Sequence, residues 1–151
     1  MPRRPPAERS GKLDCDGRQI SYHFEERSWS VAISDIRLIA EFTTELGPWA
    51  DDYFLVFLTA PENGWHEASF YAEGRDEMLD RLGKTLGVEL ELGLCNSAVF
   101  KTRIIWPLHL VDEALLILIP HKTAWGRFRQ KWLGASVDTI LSDAAKSAFK
   151  G

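Results

Sequence analysis

The stretch that most constrains this chain is YFLVFLTA, residues 53–60. It is apolar at nearly every position and rich in aromatic side chains, and turn-forming residues flank it, GPWADD before and PENG after. An apolar run of this length that ignores the two-residue period predicts a central strand buried on both faces. WHEASFYA follows the PENG turn at once, so the two segments predict a β-hairpin with a four-residue loop.

The preceding residues alternate. RQISYHFEE sets Ile20, Tyr22 and Phe24 against polar neighbours, and SWSVAIS repeats the pattern with Trp29, Val31 and Ile33. DIRLIAEFTT continues with Ile36 and Leu38, then slips to Ile39 and Phe42, which predicts a bulge or bend. After the hairpin the period changes to that of a helix. GRDEMLDRLGKTLG places Met78, Leu79, Leu82 and Leu86 on one face, with Asp76 and Glu77 in the first turn, Lys84 in the last and Gly87 as the stop. Gly83 inside it costs about 1 kcal/mol relative to alanine.

VELELGL, AVFKTRIIW and EALLILIP read as further strands. Residues 122–149 read as two helical pieces. The first is TAWGRFRQKWL, and the second is SVDTILSDAAKSAF with Ser136 as its N-cap. Strands, helix, strands, helices is not the alternation of a parallel doubly wound sheet. The expected fold is α+β: a mainly antiparallel, curved sheet, as a roll or partly open barrel, with one internal helix and a C-terminal helical segment. The expected organisation is a mobile basic arm over residues 1–12, a single domain over 13–120, and a helical segment over 121–151. That last segment is expected to pack on the domain or on a partner copy.

Charge divides the chain in the same places. Residues 1–12 carry four basic groups and one acid, and residues 121–151 carry six basic groups and two acids. The 13–120 body holds eight basic and nineteen acidic groups, within a net charge of -4. An acidic body repels phosphate backbones and anionic lipid, so nucleic acid is not an expected partner of the body. The basic ends are expected to fold back onto it. Cys15 and Cys95 form no CxxC pair and no zinc spacing, and such sparse use fits a reducing compartment. With no secretory signal and no apolar run long enough to span a bilayer, the expected setting is the cytoplasm.

Candidate chemistry is thin. Asp51 and Asp52 stand at the mouth of the central strand, where adjacent residues point to opposite faces and are poorly placed to share one cation. They read as its polar rim, and the loop of Trp49, Asp51, Asp52 and Tyr53 reads as a place for a partner to touch. His66-Glu67 would fall at the far end of the hairpin from Asp52. His109, Asp112 and Glu113 read as a solvated turn. There is no G-x-S-x-G, S-x-x-K, HExxH or phosphate-binding glycine loop. Cys95 has no nearby base in sequence to activate it. The second binding candidate is HKTAWGRFRQKWLG, where Trp125, Arg127, Phe128, Arg129 and Trp132 interleave basic and aromatic groups. The pattern suits a helix docked on its own domain or on a second copy, and also an anionic surface. No catalytic residue, metal site or cofactor is assigned.

The block from SWSVAISDIRLIAEFTT through DDYFLVFLTA and the 74–87 helix to RIIWP resembles small bacterial domains of unknown function with a pleckstrin-homology-like roll. The resemblance covers residues 18–107 and implies a roll of antiparallel strands closed by a helix. It transfers no functional residue. The expected function is therefore a non-catalytic soluble domain acting through protein association, with self-association as one form. A small-molecule pocket or metal-assisted hydrolase is the alternative. Electrostatic binding to membranes or nucleic acid through residues 121–133 is a third.

Overall fold

A computed structural model of the chain describes residues 10–45, 52–59, 64–95, 97, 99–120 and 137–148. Three strands, β1 (Lys12–Cys15), β2 (Gln19–Phe24) and β3 (Arg27–Ala32), form an antiparallel meander. A short 3-10 turn at Ile33–Asp35 leads into β4 (Ile36–Thr43), which begins a second antiparallel sheet. That sheet contains β5 (Tyr53–Thr59), β6 (Gly64–Ser69) and β7 (Lys101–Trp106), in the order β6-β5-β4-β7. Helix α1 (Arg75–Leu86) lies between β6 and β7 in sequence. A third, two-stranded sheet pairs β8 (Leu116–Pro120) with β9 (Val137–Leu141), and the short helix α2 (Asp143–Ser147) follows. The fold is α+β and mainly antiparallel, and the sheets do not close into a barrel.

The central hairpin explains the unbroken apolar run. β5 pairs with β4 on one side and β6 on the other, with Phe57 opposite His66 and Thr59 opposite Gly64. One parity of β5, Leu55 and Phe57, joins Ile39, Ala68 and Ile105 in a core shared with the meander and α1. The other parity, Val56 and Leu58, joins Leu38, Ala40, Phe42 and Ile104 beneath Leu110, Leu115 and Ala145. Each of the larger side chains contributes about 1.5–3 kcal/mol through burial. β4 carries two irregularities, between Ile36 and Leu38 against β5 and between Ile39 and Ala40 against β7. These bulges curl the strand where the sequence slips parity.

Three segments differ from the sequence reading. VELELGL alternates as a strand does, and Leu90 and Leu92 pack on the core, but the segment joins no sheet. SVDTILSDAAKSAF is not one helix. Its Val137–Leu141 portion is β9, and the β-branched Val137, Thr139 and Ile140 favour that state. The cap of α2 is Ser142, whose side chain accepts from the backbone N–H of Ala145, and Ser136 lies outside the described residues. Ser142 also receives through its oxygen and donates to Ala114, while its N–H bonds Leu115, so this end packs on its own domain. Finally, Ser10, Gly11 and Lys12, placed in the arm by sequence, belong to the folded body. Ser10 is buried with its carbonyl accepting from the Tyr22 hydroxyl at 2.8 Å, and Lys12 opens β1. The first helical piece expected near 123–133 lies outside the described residues.

Candidate functional site

The principal polar cluster grows from one buried carboxylate. Glu41 sits on β4 between Ala40 and Phe42 and has no solvent-accessible surface. Its register partners are Leu55 on β5 and Arg103 on β7, so a carboxylate and a guanidinium stand opposite one another across adjacent strands. Arg103 Nη1 donates to Glu41 Oε2 at 2.6 Å and to the Glu91 carbonyl at 2.9 Å, while Nε donates to Asp112 Oδ1 at 2.6 Å. The Tyr53 hydroxyl donates to Glu41 Oε1. The backbone N–H groups of Gly93 and Leu94 complete the set, at 2.8 Å on Oε2 and 3.2 Å on Oε1.

This network says why VELELGL is extended yet unpaired. The amides of Gly93 and Leu94 bond a carboxylate in place of a strand. Gly93 is required by the close approach, because a Cβ there would lie 2.8 Å from Arg103 Nε. Burial pushes the Tyr53 phenol far above its ordinary range, and the Glu41 carboxylate beside it pushes the same way, so Tyr53 remains a donor. Burial works against the Arg103 charge, but the Asp112 and Glu41 carboxylates outweigh it and raise its pKa. Every lone pair of Glu41 that geometry offers is occupied. A carboxylate held by four donors is a structural anchor and a poor base.

The sequence candidates fall around this anchor. Asp52 is half-buried, accepting the Tyr71 hydroxyl at 2.6 Å through its side chain and the Thr44 N–H at 2.8 Å through its carbonyl. Tyr53 is buried, stacked on Phe70 with ring centroids 4.0 Å apart, and Arg75 caps the other ring at 3.8 Å. Trp49, Asp51, Trp125, Arg127, Phe128, Arg129 and Trp132 lie outside the described residues. His66 faces Trp29 and contacts the Gly64 carbonyl, at the far end of the hairpin from Asp52. Cys95 is exposed with its sulfur 3.9 Å from the Tyr53 hydroxyl, whereas Cys15 is buried and its thiol is pushed up by that burial. Among the described residues, no three His, Cys, Asp or Glu side chains gather as a metal site would need.

Glu41 and Arg103 escaped the sequence reading, although a signal was there. Each is a charge in the middle of a strand, and Glu41 shares its parity with the buried Ile39. Two inward-facing opposite charges on candidate neighbouring strands predict a pair.

The sheet margins are the other places where function can reside. β1 is covered by Glu73, which bonds Leu13 and Gly11 through its backbone. β7 is covered by Asp112 and Glu113, which bond Ile104. β6 accepts the Trp29 indole N–H on the Glu67 carbonyl at 3.0 Å. No such cover lies on the outer row of β3 among the described residues. No helix among the described residues is long and apolar enough to cross a membrane. Compared with protein-family models, curated proteins and solved structures, the chain matches none.

Proposed function

We propose that this is a non-catalytic domain that acts through protein association, pairing with a second copy of itself along the open edge of β3. The observation that carries the reading is the unequal treatment of the outer strands among the described residues: backbone bonds cover β1 and β7, the Trp29 indole reaching over from β3 bonds β6, and no described group bonds the outward backbone of β3. The Phe24–Arg27 pair closes a two-residue turn, so Arg27, Trp29 and Val31 bond β2 and the backbone groups of Ser28, Ser30 and Ala32 point outward. Ser28 and Ser30 are exposed and small, and β3 carries no bulge or proline to discourage pairing.

An antiparallel β3–β3 contact is isologous, and it sets each Arg27 toward the Ala32 end of the other copy, so like charges do not meet. The saturation of Glu41 supports a structural role for the buried charges. Sparse cysteine use supports a reducing, cytoplasmic setting. A three-stranded and a four-stranded antiparallel sheet around a shared core support kinship with pleckstrin-homology-like rolls. Light scattering across a wide concentration range tests the association. The wild type is expected at dimer mass and Ser30→Pro, which removes an outward donor at a position an edge strand tolerates, at monomer mass with unchanged circular dichroism. A wild-type monomer throughout, or a dimer that survives Ser30→Pro, contradicts the reading.

A further inference from the structure

One end of the sheets carries a broad, open depression of about 680 Å³, between the β1–β2 turn, the 3-10 turn, the start of β4, the end of β7 and the carboxyl end of α1. Ile33, Ile36, Leu86 and Trp106 supply its apolar lining, with both isoleucines buried and Leu86 and Trp106 half-buried. Among the described lining residues are Arg18 and Arg37 and no aspartate or glutamate. In a chain of net charge -4 this is a local reversal of sign. The other large cavity, about 630 Å³ between α1 and residues 88–92, is lined by Asp76, Asp80 and Glu89 with only Lys84 against them.

Neither arginine is in an ion pair among the described residues, although the Arg18 charge acts on the neighbouring Asp16 carboxylate. Among the described residues Arg75, Arg81, Lys84 and Arg103 form ion pairs, whereas Arg18 and Arg37 form none, like Lys12, Arg27, Lys101 and Lys146; what sets the two arginines apart is that they share one apolar-lined surface. Asp16, beside Arg18, accepts the backbone N–H groups of Arg18 and Gln19, each at 2.9 Å, and these bonds hold its carboxyl below the usual range. The β4 irregularity between Ile36 and Leu38 falls at Arg37, and bulges at sheet edges are a common device for re-aiming side chains. The carboxyl end of α1 bears partial negative charge, but its Gly87 N–H bonds the Gly83 and Lys84 carbonyls and takes up part of it.

We propose that this mouth is a binding site for a small amphiphile, free in solution, with an anionic head held by Arg18 and Arg37 and an apolar body lying on Ile33, Ile36, Leu86 and Trp106. The volume suits such a molecule, and concave apolar surfaces with a few convergent polar groups are a recurrent place for ligands. Guanidinium forks match carboxylate and phosphate heads. Ala32 lines this mouth and also ends the outward row of β3, so the two readings meet at that residue.

Calorimetric titration with decanoate tests it, with decanol and acetate supplying the same tail without charge and the same charge without tail. Decanoate is expected to bind saturably at one site per chain and more tightly than either control. Arg18→Gln and Arg37→Gln are each expected to weaken it about tenfold, and Trp106→Phe to abolish most of the decanoate-induced fluorescence change. The same titration on Ser30→Pro separates loss of pairing from loss of the site. Absence of saturable binding, equal affinity for decanol, or undiminished affinity in Arg18→Gln/Arg37→Gln overturns the proposal.

Discussion

The Glu41 network and the mouth beside Arg18 and Arg37 use the same chemistry in opposite ways. At Glu41 a carboxylate with no exposed surface meets a guanidinium, a phenol and two backbone amides, and all are consumed in holding residues 91–94 against the sheet. At the mouth two guanidiniums flank apolar surface and hold nothing among the described residues. The first arrangement stabilises the fold and the second leaves charge available. A charge serves structure when its partners come from the chain, and it serves recognition when they must come from outside.

The largest expected effect is at Glu41. Glu41→Ala removes the acceptor of Arg103, Tyr53, Gly93 and Leu94 together and should cost about 3–5 kcal/mol, read as a lowered urea midpoint. Gly93→Ala forces a Cβ into the Arg103 guanidinium and should cost about 1–3 kcal/mol by the same readout, with Gly87→Ala as a strained comparison that spares the network.

Tyr53→Phe should cost about 1–3 kcal/mol at neutral pH, since it removes a donor from a buried carboxylate. It also changes the pH dependence. The folded phenol holds its proton above the pH at which an unfolded tyrosine, with a pKa of about 10, releases it. The wild type therefore loses stability as pH rises past about 10, and Tyr53→Phe should lose less over the same window. Cys15, also raised by burial, adds a loss beginning near the ordinary thiol value of 9.0, and Cys15→Ala separates the two.

The smallest effect on stability is expected at the mouth. Arg18→Gln and Arg37→Gln remove exposed cations that form no ion pair among the described residues and should stay within about 0.5 kcal/mol of wild type. If either destabilises as Gly93→Ala does, the distinction between committed and available charge fails.

The contrast also explains what could be read from sequence. YFLVFLTA and its hairpin were legible because burial on both faces erases the alternation, and α1 was legible because its apolar stripe, end charges and Gly87 stop all agree. β1 was not, because Leu13 and Cys15 are its only apolar residues and a basic, proline-rich stretch precedes it. Residues 136–149 misled because apolar residues at helical spacing outweighed the β-branched Val137, Thr139 and Ile140. VELELGL has true strand alternation, but what its amides bond is a side chain on β4, and no local pattern announces a partner that distant. The Glu41–Arg103 pair was legible in kind but not in register, since the pairing of β4 with β7 spans the whole hairpin and α1. Arg18 and Arg37 look like ordinary surface arginines until the fold brings both to one cavity.

The measurement that bears most directly on this account is urea unfolding of Glu41→Ala and of Arg18→Gln/Arg37→Gln side by side with the wild type. The account predicts a loss of about 3–5 kcal/mol for the first and less than about 1 kcal/mol for the second. Comparable losses in the two variants, or a near-neutral Glu41→Ala, would contradict it.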